Sequence, residues 1–103
     1  MIDTGIEKST LDYLMQALAS YKEIEKVLLF GSRAKGSSRP GSDIDLAIQG
    51  KNCTPELALD LKAFLNEKLP IPYFIDIVDF ESIENAELKK HIERVGKVIY
   101  TSH

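Results

Sequence analysis

Two short apolar runs lie only twelve residues apart in the chain. Residues 26–30 (KVLLF) and 43–48 (DIDLAI) both read as strands, and Gly31-Ser32 stops the first of them. A parallel strand–helix–strand crossover needs a dozen residues or more, usually with a helix inside. The intervening segment is polar, small-residued and basic, with room for one short helical turn around Ala34. This spacing points to an α/β chain of the α+β kind: a small mixed sheet with helices packed on one side, rather than a doubly wound parallel sheet.

The remaining elements follow from periodicity. Leu11, Leu14, Met15, Leu18 and Tyr21 recur at helical spacing and predict a helix over 9–21, with Ser9 and Asp12 resembling a capping box. Residues 54–69 predict a second helix, with Thr54 as N-cap, Pro55 at the first helical position and Pro70 ending it. Its apolar stripe is Leu57, Leu61, Phe64, Leu65 and Leu69. Residues 73–80 predict a strand, and 85–95 a last helix with Gly96 at the C′ position. Residues 98–100 could close the sheet.

A chain of 103 residues forms one domain, 1–103, with a radius of gyration of roughly 13 Å. Thirteen basic against sixteen acidic residues give a net charge of −3. That balance supplies no strong positive field, so non-specific nucleic-acid binding is not expected and nucleic acid stays open only as a reaction acceptor. Cys53 is the single cysteine, which excludes an internal disulfide and a Cys-based zinc site; an inert thiol is expected. No apolar run approaches the ~18 residues of a membrane span. The first residues carry no basic and apolar leader pattern, so a cytoplasmic location is the default expectation.

Chemistry concentrates in residues 31–45, GSRAKGSSRPGSDID. A glycine at a strand end permits close backbone approach, and the N–H groups and hydroxyl that follow it can cradle phosphate oxygens. In 43–48, Ile44, Leu46 and Ile48 share one face and Asp43 and Asp45 the other. Carboxylates so placed suit a hard divalent ion shared with substrate phosphates. Gly31 and Gly36 have Walker A spacing, but Ser37 and Ser38 stand where Lys-[ST] is required, so that loop is excluded. An EF-hand beginning at Asp43 would need an acid at its twelfth position, which is Thr54. With Gly and Ser at ~7% and Asp at ~5%, Gly-Ser, ten residues and Asp-x-Asp arise by chance in roughly one chain of this length in a thousand. Its placement across two strand ends makes chance a poorer account still.

These residues, with a later strand carrying Asp76, resemble the DNA-polymerase-β-like nucleotidyltransferases, and more narrowly the minimal nucleotidyltransferases, which are about this size. The resemblance runs from the first helix to the last, but its specificity sits in residues 30–48 and around Asp76. It implies the nucleotidyltransferase fold. It implies that Gly31 and Ser32 hold the β- and γ-phosphates of a nucleoside triphosphate, with Arg33 and Ser42 beside them. It implies that Asp43, Asp45 and Asp76 ligate two Mg²⁺ ions and that Asp76 helps activate the attacking hydroxyl. Carboxylates this close repel one another, so at least one should have a raised pKa without metal.

Asp76 and Asp79 have opposite parity in FIDIVDF, so a regular strand sends them to opposite faces. The family pattern favours Asp76 as the third acid and leaves Asp79 as a strand-end or helix-approach residue. Arg33, Lys35 and Arg39 form a basic cluster that either attracts triphosphate or is a solvated loop. His91 and His103 have no obvious partner and read as surface residues.

The resemblance implies an enzyme transferring a nucleoside monophosphate, AMP from ATP, to a hydroxyl. Minimal nucleotidyltransferases are often paired with a small helical HEPN-type protein and can act as its antitoxin, in some cases by adenylylating its tyrosine. The alternative is a non-catalytic subunit acting by complex formation with such a partner. The short chain leaves no helical domain to hold an acceptor, so the acceptor surface is expected from another chain, a substrate-binding protein or a homo-oligomer.

Overall fold

A computed structural model of the chain describes residues 6–31 and 43–102. The first helix, α1, is Lys8–Ala19, and its Leu14 and Leu18 are fully buried. The expected capping box does not form. The helix begins at Lys8 behind Glu7, which makes no side-chain cap bond, and Asp12 pairs instead with Lys8 at 3.4 Å. That i,i+4 pair occupies the carboxylate that would otherwise have bonded back to Ser9.

Strands β1 (Lys26–Phe30), β2 (Ile44–Gln49), β3 (Ile75–Asp79) and β4 (Lys97–Thr101) form one sheet in the order β3-β2-β1-β4. β1 runs antiparallel to both β2 and β4, while β2 and β3 are parallel. The sheet is therefore mixed, as the twelve-residue spacing requires. The parallel pair is joined through α2, Pro55–Glu67. Leu57 N–H donates to Thr54 Oγ1 at 3.1 Å, so the predicted cap and the Pro55 start both hold. The stripe on α2 is shifted: Ala58, Leu61 and Leu65 are buried, whereas Phe64 is 37% exposed.

β3 is an edge strand, and its first backbone groups are not left to water. The Asn66 side chain donates to Ile75 O at 2.8 Å and accepts from Ile75 N–H at 2.9 Å. Its Nδ2 also donates to Lys62 O at 2.8 Å, fixing the amide to α2. One side chain thus stands in for the missing neighbouring strand. Asn66→Ala is expected to destabilise the fold by about 2 kcal/mol, because two backbone groups lose their partners together. Urea unfolding of the two proteins would show it as a lowered midpoint at unchanged slope.

The sheet is covered on both faces, which differs from the one-sided packing expected. α1 and α2 cover the face carrying Val27, Leu29, Ile44, Leu46, Ile48, Ile75 and Ile77. The other face carries Leu28, Phe30, Ala47 and Val78, and the last helix, α3 (Ala86–Val95), packs Ile92, Leu88 and Val95 against it with Phe80. The reason lies in β1, where residues 27–30 are all buried: a strand apolar on both sides needs cover on both.

Asn85 caps α3, its Oδ1 accepting from Glu87 N–H at 2.9 Å and Leu88 N–H at 3.1 Å. Gly96 follows as C-cap, but with φ −64° rather than the left-handed conformation expected of it. Glycine is needed there because a Cβ would strike the Ile92 carbonyl oxygen. The radius of gyration is 12.7 Å.

Candidate active site

The strand directions bring three chain segments to one end of the sheet. β1 ends there at Phe30, and β2 and β3 both begin there. Phe30 pairs with Asp45, and Asp45 lies directly across from Asp76. Residues opposite one another share a face, so Asp45 and Asp76 stand side by side on neighbouring strands about 4.8 Å apart. α3 covers this face further along, over Leu28, Ala47 and Val78, and leaves both carboxylates half-buried at its open end.

The electrostatics agree with that placement. Burial raises the pKa of Asp45 above the ordinary carboxylate value, and the charges of Asp76 and then Asp43 raise it further. Asp45 is thus the carboxylate that carries the expected repulsion. Asp43 precedes β2 and is exposed. Among the described residues, no three His, Cys, Asp or Glu side chains converge as a ready-made metal cage.

Gly31 closes the other side of Asp45. It has φ 77°, and a Cβ built on it would strike Asp45 Oδ2. The strand-end glycine therefore serves two purposes. It turns the chain out of β1 through a left-handed conformation, and it lets the backbone lie against the carboxylate.

Parity sends the two acids of β3 to opposite faces. Asp76 faces Asp45, while Asp79 faces the opposite side of the sheet and is 5% exposed. Asp79 precedes the 3₁₀ turn Phe80–Ser82 and accepts from Ser82 Oγ at 2.7 Å, in keeping with a strand-end role. Ser32, Arg33 and Ser42, together with Lys35 and Arg39, lie outside the described residues.

Sequence reasoning missed Lys62. It projects from α2 around the β3 edge, and its Nζ lies 3.2 Å from Asp76 Oδ1 and 5.3 Å from the centre of the Phe74 ring. No local pattern marks it, because it is one of several polar residues on an exposed helix face. Only the packing of α2 against β3 brings it to the acid.

Residues 13–103 match the family described as Polymerase beta, Nucleotidyltransferase. The chain belongs to that family. A Methanocaldococcus jannaschii protein named as a candidate protein adenylyltransferase is 32% identical over 94 residues, covering 82% of this chain and 92% of its own length. A chain of a crystallised toxin–antitoxin complex with AMP-PNP shares the fold at a TM-score of 0.73 and 22% identity, over 90% of this chain and 74% of that one. A chain of the Shewanella oneidensis complex described as a tri-AMPylated HEPN toxin with MNT antitoxin does so at a TM-score of 0.69 and 20% identity, over 92% and 72%. The two crystallised chains thus share the fold of this one.

Within this nucleotidyltransferase domain, Cys53 lies beyond the far end of β2 from Asp45. Burial, with the charges of Asp79, Glu23 and Glu25, pushes the Cys53 thiol up to about 11. Cys53 is therefore protonated at neutral pH, and its Sγ donates to Glu23 O at 3.4 Å. His91 is half-buried on α3, and His103 lies outside the described residues. Among the described residues no helix is long and apolar enough to cross a membrane.

Proposed function

We propose that this nucleotidyltransferase is a Mg²⁺-dependent enzyme that transfers AMP from ATP to a hydroxyl, with a tyrosine of a partner protein as the acceptor. The observation that carries this reading is the pairing of Asp45 with Asp76 on adjacent strands, with the Gly31 backbone against Asp45. The donor set fits the ion. Asp43, Asp45 and Asp76 offer only oxygen, which a hard divalent cation takes, commonly with substrate phosphates completing its shell. Asp45, raised by burial and like charge, is the group a cation would relieve most.

In this reading Asp43, Asp45 and Asp76 would hold two Mg²⁺ ions, whose chemistry is to activate the acceptor hydroxyl and stabilise the pyrophosphate leaving group. Gly31 leaves the strand end bare, so triphosphate oxygens can approach the backbone, with Ser32, Arg33 and Ser42 as further contacts. Asp76, half-buried at the start of β3, would accept the proton of an incoming hydroxyl. Lys62 holds Asp76 Oδ1 and so limits the orientations of that carboxylate.

Support for the nucleotide and the acceptor comes from relatives: the archaeal protein's name gives protein adenylylation, and the fold neighbours include an AMP-PNP complex and an AMPylated toxin. The test is incubation with each of four labelled triphosphates, Mg²⁺ and lysate of the native host. Adenylate label on a protein, dependent on Mg²⁺, is the expected result; no labelled acceptor with any triphosphate would overturn the reading.

A second reading is favoured by the toxin–antitoxin nature of the same neighbours. Here the chain neutralises a HEPN-type partner by binding it. A doubly substituted Asp43→Asn/Asp45→Asn chain separates the two: neutralisation that survives without any labelling assigns the effect to complex formation.

Lys62 gives a further expected result. Its ammonium lies on an oxygen that a metal would use, so Lys62→Met should lower the Mg²⁺ concentration for half-maximal activity a few-fold. Both partners are substantially exposed, so thermal stability should change by less than about 1 kcal/mol.

A further inference from the structure

Phe74 immediately precedes β3, the strand that carries Asp76, and is 50% exposed. A single exposed aromatic residue is ordinary; its position is what informs. Ile44 N–H donates to Phe74 O at 2.9 Å, so the parallel pairing of β2 and β3 continues back to this residue. Ile75 packs into the core, and alternation along the strand therefore sends Phe74 to the side of Asp76. Lys62 touches both. Its Nζ is 3.2 Å from Asp76 Oδ1 and 5.3 Å from the centre of the Phe74 ring. An exposed ring and a half-buried carboxylate thus stand together at the β3 edge.

The order of the strands says what passes there. Gly31 follows β1, Asp45 lies on β2 and Asp76 on the edge strand β3. With neighbouring strands about 4.8 Å apart, Gly31 and Phe74 flank the carboxylate pair from opposite sides. In-line displacement at phosphorus places the attacking oxygen opposite the leaving group. In the AMP-transfer reading, on which this inference rests, the leaving pyrophosphate lies by Gly31. The acceptor therefore comes in over the β3 edge, past Phe74. Its oxygen would bond to the α-phosphorus as its proton passes to Asp76. The bond from that phosphorus to the bridging oxygen breaks, and pyrophosphate leaves with the electron pair.

We propose that Phe74 selects the acceptor: its ring packs against the ring of an aromatic hydroxyl, so that a phenol is bound in preference to an aliphatic alcohol. A phenol carries its oxygen directly on a flat, rigid ring. Contact with Phe74 and approach to Asp76 are then made by one group. A serine or threonine hydroxyl brings no ring to the same place. Offset-stacked or edge-to-face packing favours the aromatic occupant by about 3- to 10-fold over a saturated ring of similar outline.

The test uses the full chain with Mg²⁺ and α,β-methylene-ATP, whose α–β link is not cleaved. N-acetyltyrosinamide is the probe, and its counterpart with a 4-hydroxycyclohexyl ring is the comparison. Binding is followed by NMR. The expected result is a saturable upfield shift of the tyrosine ring protons, nuclear Overhauser contacts to the Phe74 ring, and an affinity about 3- to 10-fold above that of the saturated probe. Phe74→Leu should remove the shift and the difference between probes, and Phe74→Trp should restore both. Phe74 is half exposed, so both variants should fold; affinity for the nucleotide analogue, expected to stay within about two-fold, checks this. The two probes on the unaltered protein decide the matter even if a variant does not fold. Equal binding of the two, no contact to Phe74, or unchanged affinity for the tyrosine probe in Phe74→Leu overturns the proposal. The analogue cannot donate AMP, so this result is reached whether or not labelled transfer from ATP is observed, and failure of one reading is not mistaken for failure of the other.

Discussion

Asp45→Asn is expected to lower nucleotidyl transfer by on the order of 10³-fold, because several kcal/mol of transition-state stabilisation pass through the metals this residue would help hold. Single-turnover transfer of labelled AMP at saturating Mg²⁺ is the measurement. Retention of more than about a tenth of the rate would remove Asp45 from the proposed role. Stability should move the other way. Asp45 has its pKa raised in the folded protein, first by burial and then by Asp76 and Asp43. A group with a raised folded pKa contributes stability that is fully present below its unfolded pKa. That contribution is lost as pH rises through the raised folded value. The metal-free protein should therefore lose stability as pH rises through the acid range, on account of Asp45. The Asn variant should lack that loss and melt at or above the temperature of the unaltered protein at neutral pH. Added Mg²⁺ should stabilise the unaltered protein and have little effect on the variant.

Gly31→Ala should damage both the fold and the site. At φ 77° an alanine is strained by about 1–2 kcal/mol. The new Cβ would also strike Asp45 Oδ2, and the φ restraint and the carboxylate leave it nowhere to relax. Chemical denaturation should show the loss of stability. Activity should fall much further than the unfolded fraction explains, because relief of the clash moves Asp45 away from Asp76. Asn66→Ala is the useful comparison: it weakens β3 without adding an atom near the carboxylates. Equal activity per folded molecule in the Gly31→Ala and unaltered proteins would mean that the close approach at Gly31 has no part in catalysis.

Much of this site is legible in the letters. The Gly-Ser at the end of KVLLF, the alternation of DIDLAI and the parity of Asp76 against Asp79 each depend on local geometry with a fixed period. Local geometry survives translation from sequence to structure, so Asp45 and Asp76 share one face while Asp79 takes the other, and Gly31 adopts the left-handed conformation that only glycine takes readily. The mixed sheet follows as well, since twelve residues constrain how β1 and β2 can pair. The errors are also local in kind. Ser9 and Asp12 have capping-box spacing, but Lys8 competes for the same carboxylate. Phe64 belongs to the helical stripe by spacing, yet sits at its margin, half turned to solvent.

Other features belong to residues far apart in the chain, and no period connects them. The second covered face exists because α3 folds back over Leu28 and Ala47 from more than forty residues away. Lys62 meets Asp76 only because α2 packs against an edge strand. Asn66 caps Ile75 for the same reason. Asp79 reads as an ordinary strand-end acid until packing buries it and leaves one oxygen unpaired. The identity of the chemical groups and the face each acid takes are thus written in short-range spacing, which the backbone imposes. Which cation reaches Asp76, which carboxylate is raised and which is left unpaired depend on the mutual approach of separate elements. That approach is set by the burial of apolar surface across the whole sheet.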